Sequence, residues 1–337
     1  MDIERFAPAQ DTELVRECYE IFHAVREADD PDLPVMSWRV FEGWLRSGWV
    51  DNPRETWLTA DADGVAGWYV LELPSRDNRH LAVLDVLVRP SRQRHGLGTA
   101  LLRHAAGRAL ADDRTLLAGR FREGAPGEAF ARGAGAVCGL ADIHRVLDLD
   151  TAAAGRRAEL RAAAQQAAAG YSLTSWEGLT PEKYLDQVAA INRALADAPH
   201  DPNVEASVWD AERVRAAERR IGLQGLRAYT VAAAHERTGE LGGFTQVEVS
   251  PANPARAFQG LTAVIRAHRG HRLGLFLKLA MLDRLAEAEP QVRQVFTENS
   301  ETNEHMIAIN EALGYRVVGG PLRSWELKAA DVVAAQS

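Results

Sequence analysis

The sequence predicts an α/β fold of the mixed α+β type, made of two tandem domains, each a mostly antiparallel, twisted mixed sheet flanked by helices. An internal repeat, a shared order of strand-like and helix-like segments, and a glycine-containing turn in each half support this prediction. The repeat has an offset of 176 residues and pairs Gly67 with Gly243, Glu72 with Glu248 and Gly98 with Gly274. The 337-residue chain therefore contains one structural plan twice.

The order of elements is the same in both halves. A short strand leads into an amphipathic helix, DTELVRECYEIFHAVRE in the first half and TPEKYLDQVAAINRALA in the second, and a further helical stretch follows. Two alternating strands then form a predicted hairpin, with Asp63-Gly64 or Thr238-Gly239 at its turn. The next strand, LAVLDVLV or QGLTAVI, leads into the glycine turn. A long helix, another strand, a short helix and a terminal strand complete each half.

Residues 150–170, DTAAAGRRAELRAAAQQAAAG, separate the two halves. This segment is rich in alanine and arginine and poor in large apolar residues, a composition that favours a helix without a strongly apolar face. We therefore predict a first domain at residues 1–149, a helical linker at residues 150–170 and a second domain at residues 171–337.

The composition limits the classes of partner. The formal net charge is −8 and the isoelectric point is about 5.7, so neither a nucleic acid nor an acidic membrane surface is expected as a partner. No apolar run approaches the roughly 18 residues that span a bilayer, and the N-terminus lacks a signal-peptide pattern. Cys18 and Cys138 stand in dissimilar contexts, which favours free thiols over a disulfide or a thiolate metal site. These features predict a cytoplasmic protein without a bound metal.

The first glycine turn, SRQRHGLG, connects a buried strand to a helix. Successive backbone N–H groups in such a turn, together with the positive end of the helix dipole, form an anion pocket. Gly96 and Gly98 lack Cβ atoms, so a pyrophosphate can approach the backbone closely, and Arg92 and Arg94 add positive charge. Taken alone, these residues also fit an ordinary helix cap. They match neither the dinucleotide-binding fingerprint nor the P-loop.

The wider context of this turn carries a family resemblance. A buried strand, the pattern V-x-P, the pattern Q-x-x-G-x-G and an apolar helix follow an antiparallel hairpin. This arrangement resembles the acyl-CoA-binding segment of the GNAT superfamily of N-acyltransferases, and the resemblance covers nearly the whole chain as two copies. Among tandem members it is similar to mycothiol synthase and to acetyltransferase-like proteins of actinomycete antibiotic clusters, including that of clavulanic acid.

The resemblance implies that acetyl-CoA or another acyl-CoA is the cofactor, with up to two molecules per chain. In the first half the strand would bind the pantetheine arm and the turn would bind the pyrophosphate, through Val86, Leu87, Val88, Gln93, Arg94, His95, Gly96, Leu97, Gly98 and Thr99. In the second half the same roles fall to Thr262, Ala263, Val264, Arg269, Gly270, His271, Arg272, Leu273, Gly274 and Leu275.

The second turn departs from the family pattern at one position. Arg272 stands where the first half has Gly96, so the backbone is less accessible to a phosphate there. Either the arginine side chain supplies a compensating charge, or the second site has lost its ligand.

The family reaction is direct attack of an amine on the thioester, which needs a base, an oxyanion donor and a proton for the thiolate. The resemblance makes the strand N–H groups near Leu87 or Ala263 the oxyanion donors. Where the family often has a tyrosine that protonates the thiolate, this chain has Ala131 and Asn310. Asn303 and Asn310 can still hydrogen-bond the cofactor, so we expect catalysis in the C-terminal half and cofactor binding in the N-terminal half.

Carboxylates at strand ends are the candidate general bases. Glu248 and Glu298 both occupy such positions, where an acceptor amine could approach. Because the repeat pairs Glu248 with Glu72, a solvated strand carboxylate is the alternative interpretation. A polar loop in the second half supplies further candidates for acceptor binding, since long loops on a rigid scaffold often carry specificity: Asp197, His200 and Asp201.

Together these features predict an acyl-CoA-dependent N-acyltransferase that acts on a small-molecule amine, in secondary-metabolite biosynthesis or thiol metabolism. The alternative is a non-catalytic protein that binds or senses acyl-CoA, which the missing tyrosine and the altered second turn favour. The expected partner is the small amine, with neither nucleic acid nor membrane, and the expected state is a monomer or a homodimer.

Overall fold

The structure is a computed structural model that describes residues 2–49, 51–149, 154–194 and 200–335. Its first elements are β1 (Glu4–Phe6), α1 (Thr12–Asp29), α2 (Trp38–Ser47), β2 (Arg54–Asp61), β3 (Gly64–Glu72), β4 (Leu81–Val88), α3 (Leu97–Ala111), β5 (Leu116–Arg122), α4 (Pro126–Gly133) and β6 (Val137–Asp148). There follow α5 (Ala154–Ala167), β7 (Tyr171–Glu177), α6 (Leu185–Arg193), α7 (Ala211–Leu223), β8 (Arg227–His235), β9 (Leu241–Val249), β10 (Arg256–Val264), α8 (Leu273–Ala288), β11 (Gln294–Ser300), α9 (Glu304–Leu313), β12 (Arg316–Val317), β13 (Leu322–Lys328) and α10 (Ala329–Ala334). The predicted mixed α/β class is confirmed. Among the described helices, none has both the length and the apolar composition that a bilayer crossing requires.

The chain forms two compact units. Unit 1 comprises Met1–Asp142, Asp201–Glu205 and Gly319–Ser337, and unit 2 comprises Ile143–His200 and Ala206–Val318. These units differ from the predicted domains, residues 1–149 and 171–337. The last strand and helix of the chain, β13 and α10, belong to unit 1, whereas the end of β6 and all of α5 belong to unit 2.

Unit 1 contains strands in the order β1-β2-β3-β4-β5-β13-β6. β4 and β5 are parallel, and the other paired strands are antiparallel. Alternate residues of β3 enter different cores, because successive side chains point to opposite faces. Trp68 and Val70 pack with α1 and α2, whereas Tyr69 and Leu71 pack with α3 and β5. Helices thus cover both faces of β3, which holds the neighbouring β4 in place.

Unit 2 contains strands in the order β7-β8-β9-β10-β11-β6, with β10 and β11 parallel. Tyr229 and Val231 of β8 pack in the core around α8, and Ala232 packs in the core around α6 on the other face. Ala164 and Ala168 belong to the same core as α8. Helix α5, which forms most of the segment predicted as a linker, is therefore a packed element of unit 2.

The short segment Asp201–Glu205 belongs to unit 1. Asp201 accepts hydrogen bonds from the Leu140 backbone N–H at 2.8 Å and from the Ser324 hydroxyl at 2.6 Å. Asp201, which the sequence suggested for acceptor binding, therefore connects β6 to β13. Of the other two residues suggested with it, His200 is exposed, and Asp197 lies outside the described residues.

Candidate active site

β4 separates from β5 partway along its length. Leu81, Ala82 and Val83 pair with β5, but residues 84–88 have no partner on that strand. On its other side, β4 stays paired with β3 as far as Val88. One edge of this half of β4 therefore faces an opening, which we call the wedge. Backbone N–H and C=O groups at such an edge can bind an extended ligand as an added strand.

The chain turns from β4 into α3 through two residues with left-handed backbone. The 3-10 turn Pro90–Arg92 is followed by Arg94 at φ 64° and Gly96 at φ 83°, and α3 begins at Leu97. The N–H groups of the first helical turn have no carbonyl one turn earlier in the helix, and they form the positive end of the helix dipole. This turn, residues 93–99, is called the cradle below because it is suited to a phosphate group.

Two side chains near the cradle already have partners. The Gln93 amide donates to the Val88 carbonyl at 3.2 Å and ties the turn to the end of β4. Arg92 donates to Asp61 at 2.7 Å and also pairs with Asp63. Arg92 is therefore paired with two carboxylates of the β2–β3 hairpin. Of the two arginines assigned to the anion from the sequence, Arg94 is the one that lines the cavity.

The wedge and the cradle share a cavity of about 440 Å³. This volume lies within the roughly 300–1,000 Å³ of small-molecule sites. The lining residues that the sequence predicted are Val86, Leu87, Val88, Gln93, Arg94, Gly96, Gly98 and Thr99. His95 and Leu97, predicted in the same turn, are not among the described residues that line it. A continuous stretch of β4 and the cradle thus forms one wall.

Gly98 lets α4 approach α3 closely. A Cβ atom at this position would lie 3.2 Å from the Phe130 ring, and Phe130 itself lines the cavity. In unit 2, a Cβ atom on Gly274 would likewise lie 3.1 Å from Ile309 of α9. The second glycine of each turn therefore serves helix packing, in addition to any contact with a phosphate.

Charged side chains line the cavity where β4 and β5 diverge. Arg26 of α1 donates to both carboxylate oxygens of Asp85 on β4, at 3.3 and 3.4 Å. Asp29, one turn further along α1, also lines the cavity, and burial raises the pKa of its carboxyl. Arg120 lines it from β5 and pairs with Asp142 at 3.2 Å. The sequence analysis did not single out this group, because Arg26 and Asp85 are 59 residues apart.

Unit 2 contains a comparable opening between β10 and β11. β10 pairs with β11 from Arg256 to Gln259, while its pairing with β9 continues to Val264. β10 has one extra residue between Gln259 and Thr262, which forms a bulge that the β3–β4 pairing of unit 1 does not have. The predicted arm-binding residues Thr262, Ala263 and Val264 lie on this open half.

The second turn has the backbone of the first but exchanges glycine and arginine. Gly270 has φ 90° where unit 1 has Arg94, and Arg272 has φ 52° where unit 1 has Gly96. α8 then begins at Leu273. The arginine therefore leaves the course of the backbone unchanged. It adds a side chain, and its left-handed backbone has a conformational cost of roughly 1–2 kcal/mol. The other residues predicted for this turn continue along it: Arg269, His271, Gly274 and Leu275.

Sequence and structure comparisons identify related proteins. A family model described as "Acetyltransferase (GNAT) family" matches residues 14–122. A solved structure described as a tandem GNAT protein from the clavulanic acid biosynthesis pathway, without AcCoA, is 32% identical, with a TM-score of 0.81 and coverage of 97% of this chain and 98% of that chain. The chain belongs to the GNAT acetyltransferase family. The predicted family resemblance is confirmed.

A more distant GNAT structure shares the fold. The GCN5-related N-acetyltransferase from Sphaerobacter thermophilus is 16% identical, has a TM-score of 0.66 and covers 97% of this chain and 95% of its own. At that identity the likeness concerns the fold alone. Among curated proteins, no significant match was found.

Asn310, which we expected to hydrogen-bond a cofactor in the second GNAT half, lies in the protein core. It is fully buried. Its amide oxygen accepts from Lys278 Nζ at 2.8 Å, and its amide nitrogen donates to Asn299 Oδ1 at 3.1 Å. Asn303 caps α9 by accepting from the Met306 N–H at 3.2 Å. Both polar groups of the Asn310 side chain therefore have partners inside unit 2.

The two predicted bases lie apart from each other. Glu248 lies on β9, opposite Phe258 of β10. Phe258 belongs to the part of β10 that still pairs with β11, so Glu248 is not opposite the open half of β10. Burial raises the pKa of the Glu248 carboxyl. Glu298 follows the last β10–β11 pair, but its carboxylate lies 3.2 Å from Nε2 of His144. The structure thus does not bring Glu248 to the opening of unit 2, and it gives Glu298 a partner.

The sequence analysis missed the most unusual titratable group of unit 2. Lys278 on α8 is 2% exposed, and its ammonium group lies 5.2 Å from the centre of the Tyr315 ring. Burial lowers the pKa of Lys278 from 10.5 to about 7. The repeat places Leu102 and Ala131 of unit 1 where unit 2 has Lys278 and Asn310. A lysine inside the apolar run LGLFLKLAML is the signal that could have found it.

Proposed function

We propose that this GNAT protein transfers an acyl group from an acyl-CoA, bound in the cavity of unit 1, to the amine of a small molecule. The observation that carries the proposal is the continuity of the wedge and the cradle. The free edge of β4 leads directly into a left-handed turn and the N-terminus of α3. An acyl-CoA presents a pyrophosphate to such a helix terminus and an amide-containing arm to such a strand edge.

The polarity of the site orients the cofactor. A pyrophosphate in the cradle, which follows β4 in the chain, directs the arm back along Val88, Leu87 and Val86. The thioester then lies near Asp85, where β4 and β5 diverge. A backbone N–H of β4 at this point is a preorganised donor to the thioester oxygen, which gains negative charge during attack. The Arg89 N–H donates to the Ala66 carbonyl of β3 at 2.9 Å, so the N–H of Leu87, two residues earlier on the strand, also faces β3. The proposed donor is therefore the N–H of Val86, which faces the open edge, and not that of Leu87.

The leaving group, the thiolate of CoA, needs little stabilisation by the protein. The amine nitrogen forms a bond to the acyl carbon, the C–S bond breaks, and the thiolate of CoA takes up a proton. A thiol has a pKa of about 8.5, so its thiolate is a good leaving group. Ala131 occupies the position of the family tyrosine and is 4% exposed, so it supplies no proton.

We place the transfer in unit 1, although the sequence favoured the C-terminal half. The cavity of unit 1 has charged groups beside the proposed thioester position, whereas the polar groups of Asn310 are used within the core of unit 2. The second turn keeps the backbone of the first, which supports a second, weaker acyl-CoA site there. The similarity to a tandem GNAT protein from clavulanic acid biosynthesis supports a role in secondary-metabolite biosynthesis, with thiol metabolism as the other option.

Calorimetry with acetyl-CoA tests the site. Gly96→Trp forces a side chain onto a residue at φ 83° and should abolish the tighter binding event. The matched control is Gly107→Trp, on the same helix at an exposed position with open space around it, which should bind like wild type. Tight binding that survives Gly96→Trp would move the cofactor elsewhere.

Release of free CoA thiol in the presence of amines tests the reaction. Steady release that depends on both acetyl-CoA and an amine supports an enzyme. Saturable acetyl-CoA binding without thiol release for any of a broad set of amines would favour the alternative, an acyl-CoA sensor.

A further inference from the structure

Asp29 occupies a distinctive place on the cavity wall. It lies on the last turn of α1, and the cavity is lined from this helix by Val25, Arg26 and Asp29. Their spacing of one and four residues puts all three on one helix face. This face is the one turned towards β4, since Arg26 bonds Asp85. Asp29 therefore lines the same cavity as the position that the proposed function gives to the thioester.

The basic groups around Asp29 are engaged elsewhere. Arg26 is paired with Asp85 at 3.3 Å, and Arg122 of β5 is paired with Asp30 at 2.8 Å. Arg120 is paired with Asp142. Within the described part of the chain, Asp29 forms neither a hydrogen bond nor an ion pair. This half-buried carboxylate has lost water without accepting a hydrogen bond, and the nearby charges of Arg26 and Arg122 offset only part of that cost, since burial still raises its pKa. A cationic ligand offsets more of the cost through a charge-assisted hydrogen bond.

We propose that Asp29 binds the ammonium group of the acceptor and removes its proton, so that the acceptor is an aliphatic primary amine that is cationic at neutral pH. This inference rests on the proposed function. An aliphatic ammonium has a pKa near that of lysine, about 10.4, and it is not nucleophilic until it loses a proton. An arylamine, neutral at this pH, offers Asp29 no positive charge and needs no deprotonation before it attacks the thioester.

The proposed step conserves atoms and charge. The ammonium gives one proton to Asp29, and the freed nitrogen lone pair forms a C–N bond with the acyl carbon. The C–S bond breaks, and the electron pair leaves on sulfur. The second proton lost by the nitrogen goes to the CoA thiolate, and Asp29 returns the first to solvent. The products are an N-acylated amine, CoA thiol and one proton.

The test compares Asp29→Asn with Glu27→Gln. Both exchange a carboxylate for an amide on α1, but Glu27 is 69% exposed and outside the cavity. The probes are propylamine, aniline and propanol, which differ in charge and in the attacking atom. Acetyl-CoA affinity is measured by calorimetry, acetyl transfer by thiol release, and folding by thermal melts.

We expect Asp29→Asn to keep the acetyl-CoA affinity of wild type and to lose about 100-fold or more in kcat/KM for propylamine, the scale of general-base catalysis. Its rate with aniline should change little, and Glu27→Gln should match wild type throughout. The wild-type pH profile should lose activity as Asp29 becomes protonated on the acid side, and Asp29→Asn should lack this limb.

Three outcomes would overturn the inference while leaving the cofactor site standing. These are equal propylamine rates in Asp29→Asn and wild type, faster transfer to aniline than to propylamine, and wild type that binds acetyl-CoA but does not acetylate propylamine. Failure of acetyl-CoA to bind wild type would instead refute the proposed function itself.

Discussion

Replacing Lys278 with leucine should stabilise unit 2, and more so at neutral than at alkaline pH. The side chain is 2% exposed and has one hydrogen-bond acceptor, Asn310, at 2.8 Å. No carboxylate is paired with it among the described residues. Unit 1 has Leu102 at the equivalent position, also buried at 2% exposure, so the fold accommodates a leucine there.

The magnitude follows from the pKa of Lys278. Burial lowers it from 10.5 to about 7. At 1.36 kcal/mol per pKa unit, burying the charged form of Lys278 therefore destabilises the folded state by about 5 kcal/mol. Below about pH 7 both the folded and the unfolded chain carry the proton, so the full penalty applies. Between about 7 and 10.5 only the unfolded chain holds it, and the penalty shrinks as pH rises. Leucine leaves the Asn310 oxygen unpaired, at about 1–3 kcal/mol, so we expect a net gain of about 2–4 kcal/mol at pH 7.

The assay is urea unfolding at several pH values, with hydrogen exchange of α8 peptides to report unit 2 separately. The double variant Lys278→Leu/Asn310→Ala, which restores the residue pair of unit 1, should recover the cost of the unpaired amide. The control Lys183→Leu, at an exposed position of the same unit, should change stability by less than about 0.5 kcal/mol. A loss of stability in Lys278→Leu, or a gain that does not vary between pH 7 and 10, would refute the reasoning.

Three further variants test other parts of the structure. Arg272→Gly should raise the free energy of unfolding by about 1 kcal/mol, because φ 52° strains a non-glycine residue; urea unfolding measures it, and a destabilised variant would contradict it. Gly98→Val should weaken acetyl-CoA binding about tenfold or more by pushing on Phe130, 3.2 Å from the new Cβ; calorimetry measures this, and unchanged affinity would show that α4 yields freely. Asp201→Ala should cost about 1–3 kcal/mol by leaving the Leu140 N–H unpaired, with acetyl-CoA affinity unchanged; a loss of affinity in a folded variant would return Asp201 to the ligand site.

The sequence by itself was sufficient for features encoded in neighbouring residues. The run from the β4 strand through the cradle predicted a strand, a turn and a helix terminus, because turn geometry and helix capping depend on consecutive residues. Eight of the residues assigned there line the cavity, from Val86 to Thr99. The repeat also indicated that this plan occurs twice, and the second turn indeed has the same backbone.

The features that only the tertiary structure decided depend on residues far apart in the chain. β13 lies between β5 and β6 in the sheet of unit 1 although it comes near the end of the sequence, because two strands can pair however far apart they are in the chain. Asn310 was expected at a cofactor but is buried against Lys278, because the packing of α8 on α9 sets the exposure of both. Asp29 reaches the cavity only through the packing of α1 against β4, which no local pattern specifies. Charge and burial at a site arise from such contacts, so the cradle could be predicted while the charged groups that line the cavity beside it could not.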